Sequence, residues 1–117
     1  MEIDYKNDKL KKKCTLLTEA KKHLSEKVAK KLIKLVNFIE AADNLQSVMN
    51  IPTYHFHKLK GDKQGLYALD IDGRRGSERL LVSFNEEDDS QIFTQSITIV
   101  DIRIEEVSNH YEQRSYL

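Results

Sequence analysis

The glycines and the proline of this chain are concentrated in one stretch, which divides the sequence into two unlike parts. All four glycines lie between Gly61 and Gly76, and the one proline, Pro52, stands shortly before them. Before Pro52 the apolar residues recur with helical spacing, whereas after it they fall into short runs separated by polar connectors. Helices followed by strands are typical of an α+β domain. The sequence therefore predicts two N-terminal helices packed on an antiparallel β-sheet.

Each predicted helix carries an apolar stripe. In the second helix, steps of four and three residues link Val28, Leu32, Leu35, Ile39 and Ala42. Ser25 precedes this stripe and is a good N-cap, because its hydroxyl can accept a hydrogen bond from a free backbone N–H group. A weaker stripe lies upstream, made of Leu10, Cys14, Leu17, Ala20 and Leu24. The pattern indicates a helical hairpin with a short junction at Ser25.

Four segments beyond Pro52 are predicted strands: YHFHKLK, LYALDID, ERLLVSF and SITIVDIRIEEV. Their polar connectors predict an antiparallel meander, with the acidic Asn85–Asp89 segment as a solvated hairpin tip. Alternation in the second segment would put Tyr67, Leu69 and Ile71 on one face and Leu66, Ala68, Asp70 and Asp72 on the other. In the last segment the apolar parity changes between Ile99 and Val100, which predicts a bulge there or burial on both faces. Met1–Tyr5 could form a short edge strand.

Length and composition limit what the protein can be. The chain has 117 residues, enough for a single domain over 1–117. It has no long apolar run, and its charged N-terminus lacks the apolar stretch of a signal peptide, so we expect a cytoplasmic protein that does not enter a membrane. The 19 Lys+Arg balance the 19 Asp+Glu, but every lysine lies between Lys6 and Lys63 and every arginine at Arg74 or later. Such segregation can create a basic face on a neutral molecule.

No metal or cofactor site is predicted. Cys14 is the only cysteine, which excludes an internal disulfide and makes a structural zinc site improbable. The acids of Asn85–Asp89 lack the spacing of a calcium loop. We therefore expect no cofactor.

The residues that could carry chemistry are histidines and cations. They lie in the segment from His55 through His57 to Lys60, in Arg74-Arg75, in Arg79, and in the terminal pair His110-Tyr111. RNA can be cut without a metal when its own 2′-hydroxyl attacks the adjacent phosphate, provided that a base, an acid and fixed cations are present. Histidine, lysine and arginine supply these functions, and tyrosine can stack on a base. Structural alternatives exist for each residue; in particular, Arg79 could simply pair with Asp70 or Asp101.

The order and spacing of several blocks resemble the HigB-like group of the RelE/ParE superfamily of bacterial type II toxins. The resemblance covers about residues 3–112. The blocks are DYKNDKLKKKC, LVNFIEAADNLQSV, HKLKGDKQGLYALDID, RLLVSF and IRIEEVSNHYE. It implies a RelE-like fold and a ribosome-dependent endoribonuclease that cuts mRNA in the A site. It also implies a HigA-like helix-turn-helix antitoxin as partner, and contact with operator DNA only through that antitoxin.

Carried over to this chain, the resemblance implies a catalytic set made of His57, Lys60, Arg79, His110 and Tyr111. One of the two histidines would act as acid or base, Lys60 and Arg79 would hold phosphate charge, and Tyr111 would orient or stack the nucleotide. Alternation puts His57 and Lys60 on opposite faces of a straight strand, so they converge only if the strand ends near Leu59.

The chain also departs from this group. Its net charge is zero where related toxins are basic, its terminal pair is His-Tyr rather than Tyr-His, and the GRRGS connector is longer than expected. Two alternatives therefore remain: a gyrase inhibitor from another branch of the superfamily, and a non-catalytic module that still pairs with an antitoxin.

Overall fold

A computed structural model describes residues 1–63, 65–85 and 89–109. His110 and Tyr111 lie outside the described residues. The helices are α1 (Asp8–Thr15), α2 (Leu17–Ala20), α3 (Glu26–Ala41), α4 (Leu45–Met49) and α5 (Asp89–Thr94). The strands are β1 (Glu2–Tyr5), β2 (His57–Lys58), β3 (Tyr67–Asp70), β4 (Glu78–Ser83) and β5 (Asp101–Asn109). Short 3-10 turns cover Pro52–Tyr54, Gly61–Lys63 and Ser96–Thr98.

The described strands form one mixed sheet in the order β1-β5-β4-β3-β2. β2, β3, β4 and β5 pair antiparallel, as predicted, but β1 pairs parallel with β5. The predicted α+β class and the predicted edge strand at the N-terminus are confirmed, whereas the prediction of a wholly antiparallel sheet was wrong. A parallel pair needs a long crossover between its strands. Here nearly the whole chain, with all its helices, provides that crossover.

α3 is the main helix of the core. The Ser25 hydroxyl accepts a hydrogen bond from the Val28 N–H group at 3.2 Å, which confirms the predicted N-cap. The apolar residues of the predicted stripe are buried, with the exception of the half-buried Ala42. The exposed lysines of α3 lie on its other side, as the helical spacing requires.

The upstream helix is broken. It stops at Leu16, whose extended backbone (φ −120°, ψ 116°) separates α1 from α2. Leu10, Cys14 and Ala20 remain buried, but Leu17 turns outward and is 37% exposed. The description as two N-terminal helices is therefore too simple, because a strand comes first, the upstream helix is split, and α4 and α5 follow later in the chain.

The core lies between the helices and one face of the sheet. Tyr67, Leu69 and Ile71 belong to it, together with Leu80 and Val82 of β4. The predicted alternation of the second segment is thus confirmed. We call the opposite side the outer face; it carries the cross-strand row His57, Ala68 and Leu81 and the neighbouring row Asp70, Arg79 and Ser108.

The last strand differs most from the prediction. β5 begins at Asp101, after a 3-10 turn, so the parity change at Ile99 and Val100 lies before the strand. The irregularity in pairing lies deeper, where Leu81 faces Glu106 but the next residue, Val82, faces Ile104. β4 and β5 are not joined by a direct hairpin either, because α5 and the Ser96–Thr98 turn intervene between them. Residues 86–88 of the predicted hairpin tip lie outside the described residues.

Candidate functional site on the outer face

The outer face brings together the side chains of His55, His57, Asp70 and Arg79 near strand β2. His57 lies in β2, Lys60 stands just beyond it, and Arg79 lies in β4. Two further residues, His55 and Asp70, join them. His110 and Tyr111 belong to the same predicted set, but they fall outside the described residues, so their position stays a prediction.

Phe56 anchors the short segment that carries the two histidines. Its ring stacks on Tyr67 with a centroid separation of 5.3 Å and an interplanar angle of 1°. It also lies near Phe84 and Phe93, at 6.1 and 5.8 Å. Because neighbouring residues of an extended chain point to opposite sides, Phe56 on the core side leaves His57 on the outer face. The backbone of His55 is not extended, and its contact with Asp70 is what places its ring on this face.

The ring of His57 has a defined hydrogen-bond partner. Its Nδ1 lies 2.7 Å from the carbonyl oxygen of His55. A carbonyl oxygen can only accept, so Nδ1 carries the hydrogen and donates it. In the neutral ring the lone pair is therefore on Nε2, which is the atom able to take up a proton or bind a cation.

His55 adopts a left-handed backbone conformation (φ 45°), which is uncommon for a residue other than glycine. It ends the Pro52–Tyr54 turn, where its N–H group donates to the Pro52 carbonyl. Its ring stacks on that of His57, with centroids 4.4 Å apart and planes inclined by 27°. Burial and then the neighbouring His57 lower the pKa of His55, although Asp70 acts in the opposite direction.

Asp70 is the most deeply buried charged group in this part of the molecule. Its side chain is fully buried, with Oδ1 2.8 Å from Nε of Arg79 and Oδ2 3.5 Å from Nδ1 of His55. Neither carboxylate oxygen receives a hydrogen bond from a described residue, so Arg79 and Asp70 form an ion pair without hydrogen-bond geometry. A buried carboxylate without hydrogen bonds is costly unless a cation compensates it.

Arg79 is also occupied by the backbone of the connector that precedes it. Its guanidinium donates hydrogen bonds to the carbonyl oxygens of Arg74, Gly76 and Glu78, at 2.7 to 3.1 Å. The pairing with Asp70 that sequence analysis kept as an alternative is thus confirmed. Only 7% of the arginine side chain is exposed. Its predicted contact with phosphate stays a prediction and would require these bonds to be released.

The long GRRGS connector acquires a structural role from this arrangement. Gly76 cannot be replaced freely, because an added Cβ would lie 2.8 Å from the backbone oxygen of Asp72. The connector is therefore folded tightly on itself, and this brings the carbonyl groups of Arg74 and Gly76 against the guanidinium of Arg79.

Lys60 is exposed and follows the end of β2 at Lys58. The strand ends at Lys58, near Leu59 as the prediction requires, although the Leu59 N–H group still donates a hydrogen bond to the Leu66 carbonyl oxygen at 2.9 Å. The next residues turn at once into the Gly61–Lys63 3-10 turn. Lys60 is thus an exposed cation that follows the strand of His57, and its convergence with His57 stays a prediction.

The lysines of α3 do not form a uniformly basic face. Lys31 donates a hydrogen bond to Asp72 at 2.6 Å, and Lys27 lies 3.5 Å from the same carboxylate. The hydrogen bond from Lys31 is the main reason that the pKa of Asp72 is lowered. Lys30 contacts Glu26 in turn. The acids that balance the total charge therefore lie partly among the lysines themselves.

Sequence reasoning missed the association of His55 with Asp70. The signal was nevertheless present in the strand register. β2 and β3 are antiparallel with His57 opposite Ala68, and two steps further along this register lead to His55 and Asp70. The sequence predicted a strand through His55 and His57, but it did not determine which residues of the neighbouring strand pair with them. The proximity of His55 and Asp70 could therefore not be predicted.

No protein-family model matches the chain, and no curated protein matches it. Among the helices of the described residues, none combines the length and the apolar character needed to cross a membrane.

Proposed function

We propose that the protein is the toxin of a type II toxin–antitoxin pair, with a RelE-like fold and the activity of a ribosome-dependent endoribonuclease. The proposal is supported by the ordered HigB-like blocks of the sequence. The structural observation that carries it is the His57 ring, which is half-buried on the outer face with Nδ1 bound to a carbonyl group. This leaves Nε2 as the proton acceptor, while Lys60 is an exposed cation shortly after it in the chain.

The proposed reaction needs only groups of the RNA and of this chain. Nε2 of His57 takes the proton of the 2′-hydroxyl, the 2′-oxygen attacks the adjacent phosphorus, and the bond to the 5′-oxygen breaks. The products are a 2′,3′-cyclic phosphate and a 5′-hydroxyl whose proton comes from a second group, for which the resemblance offers His110. The roles of the two histidines are interchangeable in this scheme. In this scheme Lys60 stabilises the charge on the phosphorane oxygens, the role that the resemblance implies for it.

The proposal carries partners with it. A HigA-like helix-turn-helix antitoxin would bind the toxin, and operator DNA would be contacted only through that antitoxin. The ribosome and its mRNA would be the substrate complex, which places the protein in the cytoplasm.

The decisive experiment is translation-coupled cleavage of mRNA on programmed ribosomes. Wild type should cleave, and His57→Ala should lower the cleavage rate by about 10²- to 10⁴-fold, the usual contribution of a general acid or base. His23→Ala is the matched control, because His23 is an exposed histidine between α2 and α3. Intact transcripts with wild-type protein would rule out the enzymatic proposal.

A second candidate is a non-catalytic member of the same superfamily that acts by protein–protein contact. It is favoured by the guanidinium of Arg79, which is held by Asp70 and by backbone carbonyls, and by the neutral charge. This candidate predicts harmless expression without the antitoxin if the protein only binds its partner. If the protein instead inhibits gyrase, this candidate predicts loss of DNA supercoiling. An endoribonuclease would leave supercoiling by gyrase unaffected.

A further inference from the structure

We propose that His55, His57 and Asp70 form a binding site for a divalent cation of the zinc class. One ligand atom from each of the three residues lies within 4.8 Å of the others. This goes beyond the proposed function and does not depend on it. Two imidazoles and one carboxylate are a ligand set that suits Zn²⁺, Co²⁺ and Ni²⁺ better than Mg²⁺ or Ca²⁺.

The carboxylate of Asp70 supports the cation site independently of the clustering of the three residues. Asp70 is fully buried, and neither of its oxygens receives a hydrogen bond from a described residue. Oδ1 faces Arg79, whereas Oδ2 faces His55 at 3.5 Å. A cation at Oδ2 would replace the missing hydrogen bonds, and Arg79 would hold the carboxylate in position from its other oxygen, as outer partners of metal ligands commonly do.

The hydrogen bond of His57 and the backbone conformation of His55 also suit cation binding. The bond from Nδ1 of His57 to the His55 carbonyl is the usual way in which proteins fix the tautomer of a metal-bound histidine, with Nε2 left to coordinate. His55 occupies its left-handed conformation next to Asp70, and this conformation costs free energy in a residue other than glycine. A cation bound to the His55 ring would offset part of that cost.

One movement is required. Tetrahedral coordination at about 2.0 to 2.2 Å needs all three ligand atoms closer together than the 4.8 Å within which they now lie, although Nδ1 of His55 and Oδ2 of Asp70 are already 3.5 Å apart. The stacked rings must also turn so that both planes meet at the ion. The His55 side chain is 36% exposed, so its ring can rotate toward Oδ2 without displacing the core. Solvent then occupies the remaining position, as in sites with three protein ligands.

The test is binding of Zn²⁺ to EDTA-treated full-length protein, measured by competition with a chromogenic zinc indicator, and of Co²⁺ by its visible absorption. We expect one ion per wild-type chain. His55→Asn, which removes the imidazole but tolerates the left-handed backbone, should weaken binding by about 100-fold or more. Asp70→Asn serves as a second ligand variant, and His23→Ala as the matched control that should bind like wild type.

Equal binding by wild type and His55→Asn would overturn the site, as would an equal loss in His23→Ala. The absence of Zn²⁺ binding by wild type would do the same. None of these measurements involves ribosomes, so they are independent of cleavage. If Nε2 of His57 is also the proton acceptor, then bound Zn²⁺ inhibits cleavage, and this corollary alone rests on the proposed function.

Discussion

At the scale of single residues, Asp70 and Arg79 determine what the outer face can do. A buried ion pair contributes little compared with apolar side chains of the same volume, but the loss of one partner leaves an uncompensated charge. Arg79 must therefore be considered first as a counter-ion of Asp70, and its substitution affects stability before it affects any reaction.

The first prediction separates these two roles. Arg79→Ala should lower the free energy of unfolding by about 3 to 5 kcal/mol, because Asp70 loses its cation. The double variant Asp70→Val/Arg79→Met should recover most of that loss. Urea unfolding of the wild type, of the single variants Asp70→Val and Arg79→Met, and of the double variant gives the coupling energy. An Arg79→Ala protein of unchanged stability but without cleavage activity would contradict the structural role.

Cys14 offers a second test at this scale. The residue is fully buried in the core, and burial raises the pKa of its thiol to about 12, against a smaller opposing effect of Lys13. Because the thiolate is the reactive form, the native protein at pH 8 should not react with a disulfide reagent. The unfolded protein in guanidinium should react at once. Rapid labelling of the native protein would show that α1 opens easily.

At the scale of the elements, the sequence predicted correctly those helices and strands whose pattern depends on neighbouring residues. α3, β3 and β4 follow from periodicity and capping, which are properties of neighbouring residues. The break at Leu16, the late start of β5 and the parallel pairing of β1 depend on contacts between distant segments, which periodicity does not encode.

The same reasoning applies to the site. His57, Lys60 and Arg79 were predicted because their residue types suit phosphate chemistry and because the resemblance implies them, and their catalytic roles stay predictions. The ion pair of Arg79 with Asp70 was recognised only as an alternative, because whether a guanidinium points to solvent or to a buried carboxylate is settled by the folding of the preceding connector. The proximity of His55 to Asp70 needed the register of β2 and β3.

A third prediction concerns the ion pair between Lys31 of α3 and Asp72, which follows β3. Lys31→Ala should lower the free energy of unfolding at pH 7 by about 0.2 to 1 kcal/mol, as is usual for an exposed pair. Because the folded-state pKa of Asp72 is lowered, the pair stabilises the protein fully at any pH above the pKa that Asp72 has in the unfolded chain. It is lost as the pH falls through the lower, folded-state pKa.

The measurement is chemical unfolding of Lys31→Ala and wild type between pH 7 and pH 2. The difference between the two should shrink in acid. Lys34→Ala is the matched control, an exposed lysine of the same helix. A difference that stays constant down to the lowest pH would show that Lys31 stabilises the helix by some means other than Asp72.

At the scale of the whole molecule, a neutral chain can still bind an anionic surface through an unbalanced part of its own surface. α1 carries exposed lysines, namely Lys9, Lys11 and Lys12, whereas those of α3 are partly paired with acids. Any ribosome contact through phosphates would therefore involve α1 more than α3.

The fourth prediction follows from this difference. Ribosome association should weaken steeply as salt is raised from 50 to 200 mM, since phosphate contacts release counter-ions. Removal of the charges at Lys9, Lys11 and Lys12 should flatten the dependence, whereas Lys27→Ala with Lys30→Ala should change it less. Co-sedimentation at several salt concentrations measures both. Affinity that does not depend on salt would exclude phosphate contacts as its source.

The parallel pairing of β1 with β5 also orders events during synthesis. β1 has its hydrogen-bond partner in β5, the last described strand, so Glu2–Tyr5 stays unpaired until Asp101–Asn109 has been made. A nascent chain can assemble the helical layer early, but β1 can join the described sheet only once β5 is present. Truncations within β5 should therefore leave both ends of the polypeptide accessible to proteases.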